Sequence, residues 1–338
     1  MMNEENSPDP RLDAFLVEHR LASPNEPASW QPLTGGVSSD IWRVGLPGRS
    51  LCVKRALSTL RVSAQWQAPV SRNASEWAWL QFAAQRCPDN VPAPLAHDPE
   101  LGVFAMSFLA PGEHPIWKLQ LMAGQVQIEA AKAVGHLIGG LHSASAGSAD
   151  LAQAFDTGEN FHALRLEPYL IAMSARHPAL AQRLETLARQ TASIRTALVH
   201  GDVSPKNILI GPKGPVLLDA ECAWFGDPAF DLAFCLNHLL LKCLVRPDKV
   251  EALIISFKAL TEAYFDEADW ELRAGLEARA AGLLPALLLA RVDGKSPVEY
   301  LTDDRLRDRV RSIAVPLLCE PVPHLSRVAA AWAEGINR

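Results

Sequence analysis

Asp202, Lys206 and Asn207 fall within six positions of one another in "LVHGDVSPKNILI" (198–210), a His-Gly-Asp turn flanked by apolar runs. A second cluster follows at once, where "PVLLDAECAWFGDPAFDLAF" (215–234) carries Asp219, Glu221, Asp227 and Asp231. A carboxylate, an ammonium and an amide on one loop, backed by further carboxylates, are the groups that phosphoryl transfer asks for. That reaction needs the phosphates clamped, their charge neutralised by a divalent cation, and an acceptor hydroxyl aimed and relieved of its proton. Asp202 is the candidate base. Asn207 offers an amide oxygen and Asp219 a carboxylate to Mg²⁺, a hard cation that keeps several waters and uses few protein ligands. Glu221, read as lying on the same strand as Asp219, shares its side by period-two alternation and is a further candidate ligand. Asp202 and Asn207 alone also read as an Asx-type turn. The second carboxylate-bearing strand end tips the reading toward chemistry.

The nucleotide side has its own candidates. Lys54, in "LCVKRAL", sits in an apolar strand where a lysine is expensive unless paired. Its reading is a clamp on the α- and β-phosphates, with Glu76 on the following helix as its partner, and ATP as co-substrate. Gly35 and Gly36, followed by Ser38 and Ser39, are placed to cover phosphates with backbone N–H groups, although Gly-Gly is also a plain hairpin turn. For the acceptor, Lys206, Trp224, Arg291 and Lys295 are candidate contacts. The last two are read as lying in a loop after an apolar helix. A solvated Lys206 and a core Trp224 are the plain alternatives. "VDGKSP" ends like a Walker A loop, but the position that needs the first glycine is Leu289 and a helical pattern precedes it.

The elements that must hold these groups fall into two lobes, a strand-rich first and a helical second, an α+β arrangement. "SWQPLTGGVSSDIWRVGLPGRSLCVKRAL" predicts an antiparallel meander. A helix follows with Trp77, Leu80 and Ala84 on one face, and then two more strands around an Asp-Pro turn. The expected division is a nucleotide-clamping lobe over 1–108, a hinge at 109–113 and a helical lobe over 114–338. In the second lobe, "QVQIEAAKAVGHLIGGLHSASA" predicts a helix whose small residues admit a close neighbour, and Asp227-Pro228 starts another helix.

The 338 residues carry a net charge of −6, which lacks the basic footprint a nucleic-acid partner requires. Six cysteines without a CxxC pair predict reduced, packed thiols. The acidic N-terminus does not read as a signal peptide, and the apolar runs are too short to span a bilayer. The expected location is the cytoplasm, with no membrane partner. Oligomeric state is left open.

"HGDVSPKN" with "LLDAE" resembles the aminoglycoside-phosphotransferase-like kinases, over about 35–231. Within them, "KRALSTLRVSAQWQAPVSRNASE" (54–76) and "DAECAWFGDPAFDLAFCLNHLLL" (219–241) look like the methylthioribose-kinase branch. The resemblance implies a two-lobed, protein-kinase-like fold and a small-molecule kinase with Asp202 as base, Asp219 and Glu221 as metal ligands, and Lys54 with Glu76 as the phosphate clamp. It also implies that Asp231 supports the catalytic loop through its backbone. Asn207 follows the broader superfamily and not that branch, and the chain is shorter than expected for it. The implied acceptor is a sugar or sugar-like molecule. An antibiotic phosphotransferase and a non-catalytic pseudokinase stay open as alternatives. A protein kinase is disfavoured, because Asp231 follows Asp219 by only twelve positions, too few for an activation segment. A metallohydrolase is disfavoured because no second histidine stands at ligand spacing from His200.

Overall fold

The computed structural model describes residues 8–33, 39–57 and 72–336. The chain divides into two compact units, Met1–Ala110 and Pro111–Arg338.

The first unit holds α1 (Arg11–Glu18), β1 (Ser29–Pro32), β2 (Ser39–Leu46), β3 (Arg49–Ala56), α2 (Arg72–Arg86), β4 (Pro94–Asp98) and β5 (Val103–Ser107). The strands make one antiparallel sheet in the order β1-β2-β3-β5-β4. Pro47-Gly48 turns β2 into β3, and Gly48, at φ +75°, takes the left-handed conformation such a turn demands. Leu12, Phe15 and Leu16 of α1 pack with Trp42, Val44, Val53 and Ala105. Alternation then sends the next residue of β3, Lys54, to the opposite face, where α2 packs. On α2, Leu80 is buried as the spacing predicts. The remaining buried positions are Arg72, Asn73, Glu76, Trp79 and Ala83, not Ala84. Trp77 is half-buried and stacks on His97 with ring centroids 5.3 Å apart. The Gly35, Gly36 and Ser38 turn lies outside the described residues, as does 58–71. Ser39 is buried at the start of β2.

The second unit opens with α3 (Trp117–Met122), α4 (Ile128–Ser145), α5 (Ala149–Ala154) and α6 (Gly158–Phe161). A π-helical segment, His162–Ile171, and the helices α7 (Ala172–Arg176) and α8 (Ala181–Ser193) come next. Four short strands then carry the chemistry-bearing loops: β6 (Ala197–Val199), β7 (Ile208–Gly211), β8 (Gly214–Leu217) and β9 (Trp224–Gly226). The unit closes with α9 (Ala229–Val245), α10 (Val250–Glu267), α11 (Arg273–Asp293), α12 (Asp304–Cys319) and α13 (Leu325–Ile336).

The small residues of α4 do what their size predicts. A Cβ on Gly135 would stand 2.3 Å from the Leu260 carbonyl oxygen, and one on Gly139 2.7 Å from that of Tyr264, so α10 packs there backbone to backbone. Nearly every side chain of α9 is buried, as expected of a helix apolar on all sides. Its start is capped by Asp227, whose Oδ1 accepts the Ala229 N–H at 3.0 Å. The six cysteines are free thiols. No described helix is long and apolar enough to cross a membrane.

Candidate active site

β6 and β9 pair antiparallel with Val199 opposite Trp224, and β7 and β8 form a hairpin with Ile208 opposite Leu217. The sequence therefore leaves β6 into the His-Gly-Asp loop, returns on the hairpin, and passes through the Asp219–Glu221 turn into β9. The two motifs are ends of interlocked strands. Leu218 donates its N–H to the Asn207 carbonyl at 2.9 Å, extending the hairpin by one bond.

The His200–Asp202 loop is fixed from three sides. Asp231, fully buried in the first turn of α9, accepts the N–H of His200 at 2.7 Å and of Gly201 at 2.8 Å, the backbone support that the resemblance implied. His142 stands 3.2 Å from the same carboxylate, with its other nitrogen 3.0 Å from the Tyr264 hydroxyl. Gly201 takes φ +79°. A Cβ there would meet the Cys222 carbonyl oxygen at 2.6 Å, so the loop and the Asp219–Glu221 turn can lie this close only with glycine. His200 joins the two motifs directly. Its Nδ1 accepts the Asp202 N–H at 3.2 Å while Nε2 lies 3.1 Å from the Leu218 carbonyl oxygen, which requires the neutral Nε2–H tautomer. Burial pushes its pKa down in the same direction, and outweighs the neighbouring Asp231, Asp202 and Asp219.

Asp202 itself is buried. Arg165 reaches its Oδ2 at 2.9 Å and Lys206 reaches the same oxygen at 3.2 Å. Both cations thus share Oδ2, and no described residue hydrogen-bonds Oδ1. Arg165, on the π-helical segment, also donates to the Gly201 and Leu164 carbonyls. Asn207 donates Nδ2–H to the Asp202 carbonyl at 3.1 Å, which leaves its amide oxygen as the end available to a cation.

The strand does not run on as the sequence suggested. β8 ends at Leu217, and Asp219 adopts φ +68° before a turn that Ala223 closes by donating to the Ala220 carbonyl at 3.0 Å. Asp219 and Glu221 therefore belong to a turn, and period-two alternation does not govern their directions. A carboxylate held in the left-handed region is uncommon and energetically unfavourable, and Glu221 is buried. Among the described residues no three His, Cys, Asp or Glu side chains form a closed metal site. Two carboxylates and an amide make the sparse oxygen set that fits Mg²⁺ with waters and phosphate oxygens.

In the first unit, Lys54 Nζ lies 2.7 Å from Glu76 Oε1 with both side chains buried, so the sequence-predicted pair forms. The acceptor candidates divide. Trp224 is a core residue: it is 2% exposed and stacks on Phe161 with centroids 4.3 Å apart. Arg291 lies in the last turn of α11, not in a loop, and is buried. Lys295 follows that helix and pairs with Glu167 at 2.6 Å. Arg291 and Lys206 share a pocket with Lys118, His238, Lys242 and Tyr300, whereas Lys295 and Trp224 do not line it. Arg165 and Lys242 escaped the sequence reading. No motif marks Arg165. Lys242 stands in the apolar helix "FCLNHLLLKCLV", the same signal that singled out Lys54.

A five-stranded antiparallel sheet with a buried lysine–glutamate pair, followed by helices around an aspartate-bearing loop, defines the protein-kinase-like fold. The chain belongs to the phosphotransferase enzyme family, whose model matches residues 29–253. A methylthioribose kinase from Yersinia pseudotuberculosis is 28% identical over 56% of this chain and 52% of its own. The chain thus spans about half the length of the curated relatives it matches. The fold is shared with an amicoumacin kinase solved with AMP-PNP, Ca²⁺ and Ami, at 16% identity and a TM-score of 0.56, covering 96% of this chain and 98% of that one. It is shared too with a spectinomycin phosphotransferase solved with ADP and spectinomycin, at 11% identity and a TM-score of 0.54, covering 97% and 99%.

Proposed function

We propose that this protein transfers the γ-phosphate of ATP to a hydroxyl of a small molecule, a sugar or a sugar-like acceptor. The observation that carries the reading is the state of Asp202: two cations occupy Oδ2, the loop backbone is locked by Asp231, and Oδ1 is left for an acceptor hydroxyl. Oδ1 takes the hydroxyl proton as the acceptor oxygen bonds to the γ-phosphorus. The bond from that phosphorus to the bridging oxygen breaks, and ADP leaves with the electron pair. Lys54, held by Glu76, grips the α- and β-phosphates. Asp219, Glu221 and the Asn207 amide oxygen would hold Mg²⁺, which when bound neutralises charge on the transferring phosphate. The base, the lysine–glutamate pair and the metal carboxylates are all present, which speaks against a non-catalytic module. A polycationic antibiotic fits poorly beside a pocket lined by Lys118, Lys206, Lys242 and Arg291.

The test is ADP release from Mg·ATP across free sugars, methylthioribose, amino alcohols and aminoglycosides, with Asp202→Asn in parallel. Loss of the base lowers kcat by roughly 10²–10⁴-fold with ATP affinity retained. Wild-type turnover in Asp202→Asn rules the mechanism out.

A further inference from the structure

α9 carries a lysine in its buried interior. Lys242 is 1% exposed, and among the described residues its Nζ has no hydrogen bond or ion pair, lying 3.9 Å from the centre of the Tyr300 ring. One turn earlier on the same face stands His238, and Arg291 approaches from α11. These three line a half-enclosed pocket of about 30 Å³ that also touches Lys206, Lys118 and one acidic residue, Glu299. The charges around it do not balance. Lys118 pairs with Glu299, and Lys206 with Asp202. The Arg291 guanidinium donates only to neutral groups, the Tyr169 hydroxyl and Ser296. Two buried cations, Lys242 and Arg291, are left without a carboxylate. Three buried polar atoms of the lining, His238 Nε2, Arg291 Nε and the Tyr300 hydroxyl, have no hydrogen-bond partner. Uncompensated charge and unpaired polar atoms are unfavourable inside a protein, and such an arrangement persists where a ligand relieves it.

We propose that this pocket receives a carboxylate of the acceptor, so that the substrate is a hydroxy acid and not a neutral sugar or a polycation. The proposal rests on the phosphotransfer reading above and names the acceptor class for the same site. Size favours a carboxylate: about 30 Å³ is room for roughly two or three waters, enough for three heavy atoms and tight for a phosphate. Position ties it to the chemistry. Lys206 lines the pocket and touches Asp202 Oδ2, so an anion bound there lies one side chain from the base, and a hydroxyl a few bonds from the carboxylate can reach Oδ1. The transfer is balanced as before: the hydroxyl proton passes to Asp202, the phosphate ester forms, and ADP departs. Burial, with the nearby Lys118 cation and against the pull of Glu299, lowers the Lys242 pKa to about 7, as expected of an ammonium whose counter-ion arrives with substrate.

Glycolate and ethylene glycol share a hydroxymethyl group and differ in the carboxylate. Each is titrated into the protein without nucleotide, and binding is read by ligand-observed NMR. Glycolate should bind the wild type roughly tenfold tighter or more, the value of one charge-assisted hydrogen bond, and Lys242→Met should erase that preference. Arg291→Met, read in parallel, should weaken it as well. Equal binding of the two probes, or a preference untouched in both variants, overturns the proposal. Turnover is then compared for D-glycerate against glycerol and D-gluconate against D-glucitol. A hydroxy acid used with unchanged kcat/KM in Lys242→Met, or no better than its neutral counterpart in the wild type, overturns the carboxylate pocket and leaves phosphotransfer standing. A Lys242-dependent glycolate preference, retained in Asp202→Asn, supports the pocket even where the phosphotransfer reading fails.

Discussion

Asp231 and Gly201 are joined by a 2.8 Å hydrogen bond from the glycine N–H to a carboxylate oxygen of a fully buried side chain. With its other oxygen on the His200 N–H at 2.7 Å, one residue of α9 sets the loop that presents Asp202. An asparagine here keeps one acceptor and turns an NH₂ toward the second N–H. Asp231→Asn should therefore lose about 1.5–3 kcal/mol of stability, read by chemical denaturation. It should also lower kcat more than ATP affinity, because the aim of Asp202 is lost. A variant of unchanged stability would mean that the loop is held elsewhere.

Asp219 pairs a strained backbone, φ +68°, with a candidate metal-binding carboxylate. The two roles separate in Asp219→Gly. Glycine removes the strain of roughly 1 kcal/mol together with the carboxylate, so stability should hold or rise while Mg·ATP-dependent turnover disappears. A fall of several kcal/mol without loss of turnover would make Asp219 a purely structural residue.

Arg165 grips Asp202 and the Gly201 carbonyl at once through different nitrogens. Lysine has the charge but not the planar fork. Arg165→Lys is expected to lower kcat by about 10- to 100-fold, equivalent to one or two charged hydrogen bonds, with KM for ATP nearly constant. An unchanged kcat would limit Arg165 to packing.

Lys242 predicts a pH dependence of stability. Burial depresses its pKa to about 7 in the folded protein, below the value of about 10.4 in an unfolded chain. Below the folded value both states are charged and the native state bears the full cost. As pH rises from there, the native state gives up its proton before the unfolded state does, so stability increases. Compared with Lys242→Met, the wild type should gain stability between about pH 7 and pH 9, at up to about 1.4 kcal/mol per pH unit. Parallel profiles for the two proteins would show that Lys242 is not desolvated as the structure has it.

The residues that meet through local spacing were legible in the sequence. His200, Gly201, Asp202 and Asn207 are neighbours in the chain, and the apolar runs beside them form β6 and β7. Lys54 in its apolar strand announced a partner because a buried lysine has to find one, and the meander of the first unit followed from turn residues and alternation. Tertiary structure decided what spacing cannot. It ended β8 at Leu217 and placed Asp219 and Glu221 on a turn, since a strand lasts only as long as its partner's register. Trp224 went to the core because Phe161 offers it an apolar ring to stack on. Arg165, 37 positions before Asp202, came onto its carboxylate, and Lys118, Lys242 and Arg291 were gathered from α3, α9 and α11 around one pocket. Sequence fixes local hydrogen bonds and periodicity, whereas the convergence of charges from distant helices depends on how those helices pack.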